Sequence, residues 1–143
     1  MPTDAAPDLS CEITLEPAFH DCDPMNVVWH GHYFKYLEIA RCALLRRFGY
    51  DYPDMRDSGW LWPVVDARIR YARPLTYGQP LRIRAEIVEW ENRLKIDYLI
   101  FDQASGQRLT RAHTIQVAVD AVSGELQYVC PVVLWQRLGV EVA

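Results

Sequence analysis

The chain lacks most of the features that would place it outside ordinary folded proteins. No apolar run approaches the roughly 20 residues that a helix needs to cross a bilayer, so no membrane span is expected. Positive charge is not in excess. The 143 residues carry a formal charge of −4, whereas nucleic-acid binders concentrate positive charge, so no nucleic-acid partner is expected. The four cysteines, Cys11, Cys22, Cys42 and Cys130, form no C-x-x-C pair and no metal-ligand spacing. They read as thiols in a reducing compartment, with no metal site. The opening residues, MPTDAAPD, are polar and acidic. They have neither the basic start nor the apolar stretch of a secretory signal, and a cytoplasmic location is expected. A Gly-rich phosphate loop and a G-x-S-x-G elbow are both missing. This argues against P-loop chemistry and against serine hydrolases of the α/β kind.

What is present suits one compact domain. Half of the residues are apolar and 24% are charged, a balance that supports a core at this length. Residues 1–9 read as a flexible N-terminal tail and residues 10–143 as a single domain. Residues 10–17 alternate as a strand. A turn-rich stretch, HDCDPMN, follows at 20–26. From about residue 31 the period changes, and Tyr33, Tyr36, Leu37, Ala40, Leu44 and Phe48 recur at helical spacing, with Lys35, Arg41 and Arg46 opposite. Gly49 is a stop signal.

Beyond Gly59 the period-2 alternation returns in four runs. The first spans residues 61–71, and the second holds Leu81, Ile83, Ala85 and Ile87. The third holds Leu94, Ile96, Tyr98 and Ile100, and the fourth His113, Ile115, Val117 and Val119. Short turn signals between them imply antiparallel pairing. Residues 131–138 read as a short helix or an irregular tail. A strand, one long and well-covered helix and then several antiparallel strands make an α+β fold, most economically a sheet curled round a central helix.

Asp21 and Asp23 precede that helix. Most aspartates at such a place are turn formers or caps. The functional reading is a carboxylate near a helix N-terminus, where unpaired N–H groups and partial positive charge polarise a carbonyl oxygen. The carboxylate then attacks the carbonyl carbon or deprotonates water, and both routes fit the same residues.

The stretch Phe19 to Arg41, FHDCDPMNVVWHGHYFKYLEIAR, closely resembles the signature of hotdog-fold acyl-CoA thioesterases. It is most similar to the 4-hydroxybenzoyl-CoA thioesterase family, including the short-chain acyl-CoA thioesterases associated with the Tol–Pal system. The shared pattern is D-x-D, V-V-[WY]-[HY], a Tyr and a [LF]-[ED] pair. Downstream, PVVDARIRY at 63–71 followed by Arg73-Pro74 and Gly78 resembles the family's next strand and turn. The resemblance implies a hotdog fold, with an antiparallel sheet of five or six strands wrapped around a long central α-helix. It also implies hydrolysis of an acyl thioester of coenzyme A or acyl carrier protein, no cofactor, and a homodimer or tetramer.

Asp23 matches the catalytic carboxylate. His30 matches the helix start whose N–H polarises the thioester. Asp21 is then a loop-shaping residue, and Glu38 is a second candidate carboxylate or the partner of Arg41 three residues on. Trp29, Tyr33 and Trp62 are candidates for the acyl pocket, with core packing the alternative for each. Arg82 and Arg84 are candidates for the coenzyme A phosphates, with a solvated strand face the alternative. Asn26 stands where the family usually has Gly, and His32 where it commonly has Asn. Asn tolerates a left-handed backbone best among non-Gly residues, so the turn is expected to survive. Two rivals remain. A hotdog dehydratase or hydratase would pair a His with a carboxylate on a 3-hydroxyacyl substrate, and the D-x-D-P loop argues against it. A non-catalytic acyl-thioester-binding module would need neither Asp23 nor His30.

Overall fold

A computed structural model describes residues 7–141. Of the expected N-terminal tail, residues 1–6 lie outside the described residues. Leu9 departs from that reading, because its side chain is buried and its carbonyl accepts the Ile87 N–H at 2.9 Å.

The strands are β1 (Ser10–Leu15), β2 (Trp60–Leu61), β3 (Val64–Tyr71), β4 (Leu81–Glu89), β5 (Leu94–Asp102), β6 (Arg108–Gln116) and β7 (Val119–Asp120). The helices are α1 (Tyr33–Arg47), α2 (Tyr52–Asp57) and α3 (Val132–Leu138). The main sheet has the order β1-β4-β5-β6-β3, with every neighbour antiparallel. Strands β2 and β7 form a separate short pair. Helix α1 lies across the inner face, closest to β1 and β4, which is the arrangement the resemblance implies.

The helix exists because of what it covers. Fifteen residues are marginal as an isolated helix. Burial of Tyr33, Tyr36, Leu37, Ala40, Leu44 and Leu45 against the sheet supplies the stabilisation that propensity does not. Strands β4 and β5 answer with the expected alternation: Leu81, Ile83, Ala85 and Ile87 on one, Leu94, Ile96, Tyr98 and Ile100 on the other.

Strand β6 is in the opposite phase to the expected one. Its inward set is Thr110, Ala112, Thr114 and Gln116, all buried, while His113 lies on the outer face. The inward polar groups are accommodated by partners: Tyr98 Oη meets Thr114 Oγ1 at 2.9 Å, and Gln116 Nε2 donates to the Trp62 carbonyl at 2.8 Å. Arg41 also departs from the expected polar face. It is 6% exposed and donates to Tyr52 Oη at 2.6 Å. Glu38 is exposed and, among the described residues, forms no ion pair with it. Helix α2, closed by an Asp51–Asp54 capping box, and the short strands β2 and β7 add to the expected elements. Residues 132–138 are helical. The four cysteines are free thiols, and no helix of the described residues is long and apolar enough to cross a membrane.

Candidate active site

The segment between β1 and α1 is a small closed hairpin. Cys22 and Val28 form an antiparallel bridge. Inside it, the Asp23 N–H donates to the Val27 carbonyl at 2.9 Å, and the Asn26 N–H donates to the Asp23 carbonyl at 2.9 Å. Pro24 fits the second position of such a turn. Asn26 has φ 65°, the one positive φ outside glycine among the described residues. A left-handed residue closes a three-residue hairpin loop, so Asn takes the place of Gly here without losing the turn.

This turn positions Asp23. Its Oδ1 accepts the Met25 N–H at 2.8 Å, which fixes the side chain against its own backbone. Oδ2 has no hydrogen-bond partner among the described residues. The carboxylate is half-buried.

Asp21 anchors the loop from beneath. Its side chain is buried, forms an ion pair with Lys35 and accepts from Tyr36 Oη at 2.7 Å. Burial pushes this carboxyl upward, but the hydrogen bonds from Lys35 and Tyr36 and the Lys35 charge outweigh it and hold it at about 2. The same contact, with burial acting first, pushes the Tyr36 phenol well above its ordinary range. Asp21 also contributes backbone, its carbonyl accepting the Trp29 N–H at 2.9 Å.

The chain then enters α1 through a single 3-10 turn, His30–His32. The His32 N–H donates to the Trp29 carbonyl at 2.9 Å. The N–H groups of His30 and Gly31 have no acceptor among the described residues, as expected for the first donors of a helix. The Trp29 ring lies over Gly31, where a Cβ would stand 2.2 Å from a ring carbon. Only glycine lets the ring close on this backbone. Trp29 also lies 5.0 Å from His30 and 5.4 Å from His32, ring centre to ring centre, and is 48% exposed.

The end of β3 and the segment after it clamp the loop from the other side. Tyr71 Oη donates to the His30 carbonyl at 3.2 Å, and its ring packs edge-on against Tyr33 at 4.6 Å. The Val28 N–H donates to the Leu75 carbonyl at 2.8 Å, and Val27 bridges to Thr76. Tyr71 is the residue that sequence reasoning missed at this site. It is the last residue of the PVVDARIRY stretch at 63–71, and only the register of β3 brings it to His30.

Not every candidate gathers here. Asp23, Trp29 and His30 lie on one continuous segment. Tyr33 is buried beneath it, in the core, with its phenol pushed up by burial. Trp62 is buried beyond the opposite end of α1, a helix of about 22 Å, and donates through Nε1 to Tyr50 Oη at 3.2 Å. Trp62 also lines a separate cavity of about 240 Å3 with Tyr52, Met55 and Trp60. Arg82 and Arg84 project from the outer face of β4, away from α1. Arg82 meets Glu12 at 3.8 Å and stacks on Phe101. Arg84 meets Glu86 at 3.6 Å and Ser10 Oγ at 3.2 Å. Glu38 lines a groove along the exposed side of α1.

Residues 17–136 match the profile of the thioesterase-like superfamily. The Bacillus subtilis protein YneP, provisionally assigned as an acyl-CoA thioesterase, is 32% identical over 110 residues, covering 76% of this chain and 79% of that protein. Among solved structures, a 1,4-dihydroxy-2-naphthoyl-CoA thioesterase from Synechocystis superposes with a TM-score of 0.81 at 20% identity, over 91% of this chain and 96% of that one. A 4-hydroxybenzoyl-CoA thioesterase, solved as an Asp-to-Asn variant with 4-hydroxybenzoyl-CoA bound, superposes with a TM-score of 0.79 at 20% identity, over 91% of this chain and 99% of that one.

Proposed function

This chain belongs to the thioesterase-like superfamily and is a hotdog-fold acyl-CoA thioesterase by class, and from that premise we propose that Asp23 is its catalytic carboxylate. The observation that carries this reading is the pairing of two features on one short segment. A turn-locked carboxylate keeps one oxygen free, and seven residues on, a helix start leaves the His30 and Gly31 N–H groups without acceptors.

The thioester carbonyl oxygen accepts from those N–H groups. Charge that develops on it during attack meets fixed donors and the positive end of α1, which need no reorganisation at that moment. Asp23 Oδ2 either attacks the carbonyl carbon, giving an anhydride that water opens, or takes a proton from a water that attacks in its place. In both routes the thiolate leaves and is protonated, and a free carboxylic acid is released. Trp29 forms a wall beside the reacting carbon. Tyr71 and Asp21 position the segment without touching substrate.

The substrate is an acyl thioester of coenzyme A or of the phosphopantetheine of an acyl carrier protein. Aromatic acyl groups are handled by the two structural relatives described above, and the half-exposed Trp29 ring suits a flat acyl group here. The working unit is a homodimer formed through the free edge of β3.

The test is Asp23→Asn assayed for thiol release over aryl and aliphatic acyl-CoA thioesters. Turnover should fall by two or more orders of magnitude, a scale set by the loss of a general base or nucleophile, while substrate binding is retained. Turnover near the wild-type rate would remove Asp23 from the chemistry.

A further inference from the structure

The His30–Gly31 peptide is held on its carbonyl side by a residue from a distant strand. Tyr71 Oη, at the end of β3, donates to the His30 carbonyl at 3.2 Å. The same carbonyl accepts the Tyr33 N–H that closes the 3-10 turn. It therefore receives two donors, whereas the Trp29 carbonyl receives only the His32 N–H among the described residues. Two rings fix Tyr71 itself, each met edge-on: buried Tyr33 at 4.6 Å and His30 at 6.3 Å. Burial pushes its phenol up, so the hydroxyl stays protonated and able to donate near neutral pH.

The described peptide bonds are trans. In a planar trans peptide the C=O and the N–H point in opposite directions. A donor that fixes the His30 carbonyl consequently fixes the direction of the Gly31 N–H, which points away from Tyr71 and has no acceptor among the described residues. The coupling is electronic as well as geometric. A hydrogen bond to an amide oxygen draws charge toward it and makes the N–H of the same amide a stronger donor. Of the two free N–H groups at the start of α1, that of Gly31 thus belongs to the more strongly polarised amide.

We propose that Tyr71 is a positioning residue for thioester hydrolysis, its hydroxyl aligning and polarising the His30–Gly31 amide so that the Gly31 N–H is the principal donor to the thioester carbonyl. The inference rests on the reading of this helix start as the oxyanion site, and it does not require Asp23 to be the catalytic carboxylate. Tyr71 acts through the peptide and touches neither the acyl group nor the thiol.

A benzoyl-CoA analogue in which a methylene replaces the thioester sulfur, isotopically labelled at the carbonyl, tests this without turnover. Hydrogen bonding lowers a carbonyl stretch, so infrared difference spectra of the bound analogue read the strength of its donors. The wild-type chain should lower the stretch relative to the free analogue. Tyr71→Phe keeps the ring, removes the hydroxyl and should return roughly half of that shift. In thiol release from the aryl-CoA thioester that the wild type turns over fastest, Tyr71→Phe should lower kcat roughly tenfold with KM within about twofold, a smaller loss than removal of a whole oxyanion donor. Tyr77→Phe, at an exposed tyrosine outside the site, should change neither. If Tyr71→Phe fails to fold by circular dichroism, a fluorotyrosine at the same position, a more acidic phenol of nearly the same size, should deepen the shift instead. A stretch equally shifted in wild type and Tyr71→Phe, or a raised KM with unchanged kcat, would overturn the inference and leave the Asp23 reading standing. An analogue that does not bind, or binds with an unshifted stretch, would remove the oxyanion reading and this inference with it.

Discussion

Asp21 shows how two carboxylates, two positions apart, come to differ. Its carboxyl, held at about 2 by Lys35 and Tyr36 against the opposing effect of burial, stays ionised throughout the ordinary pH range. The folded value lies below the unfolded one of about 3.9, a gap worth roughly 2.5 kcal/mol. Because the folded value is depressed, this contribution is complete above about pH 4 and is lost as pH falls toward 2. Asp21→Asn should therefore cost roughly 2.5 kcal/mol in urea unfolding at neutral pH, with the difference from wild type narrowing between pH 4 and pH 2. A pH-independent difference would assign the loss to packing instead. Gly31 makes a different demand. An added Cβ meets the Trp29 ring at 2.2 Å, and the ring, half-exposed, swings away more readily than the backbone yields. Gly31→Ala should keep stability within about 1 kcal/mol yet lower kcat/KM for thiol release by roughly ten- to a hundred-fold, the scale of a small misplacement at a reacting centre. An unchanged kcat/KM would show that the ring does not border the thioester.

At the scale of elements, α1 aligns the free N–H groups, and its hold on the sheet decides how rigidly they are presented. Leu44 is completely buried on the helix face that meets the sheet. Leu44→Ala should cost roughly 3 kcal/mol, read as a lowered urea midpoint with an unchanged slope. A loss under about 1 kcal/mol would mean that the helix re-seats. The helix and strands β4 and β5 were legible in the sequence because their apolar periods are clean. Strand β6 was not, since Thr110, Thr114 and Gln116 take the inward positions while His113 and Ile115 carry the alternation outward. Inward polar residues are tolerated there because Tyr98 Oη and the Trp62 carbonyl are within reach, a long-range fact that no local pattern records. Arg41 misled in the same way, its polarity hiding a buried position under Tyr52. The hairpin around Asp23 was readable from D-x-D-P and Asn26, since turn chemistry is local. Tyr71, Val27–Thr76 and the pairing of Arg82 with Glu12 depend on register between distant strands, and register is set by the whole sheet.

For the whole molecule, β1 and β3 are both edge strands of the main sheet, and β3 is the longer. Seven of its eight residues pair with β6, on one side only, with Val65 in a bulge, and Val64, Val65 and Tyr71 are 44%, 57% and 45% exposed. A long edge strand with exposed apolar side chains is a template for further pairing, and in the proposed homodimer a second copy would satisfy it through a twofold axis that closes the assembly. Tyr71, which holds the His30 carbonyl, would then stand at the junction, so assembly and site geometry would be linked. Sedimentation should give twice the chain mass at micromolar concentration. Val65→Lys should shift the species toward the single chain with an unchanged circular dichroism spectrum, since a lysine on an edge strand opposes pairing. The same pairing gathers Arg68 and Arg70 from both copies on one outer face, where they repel. Association should consequently tighten as salt screens them, opposite in sign to an interface held by ion pairs. A single-chain mass at every concentration, or a dimer indifferent to Val65→Lys, would place the contact elsewhere.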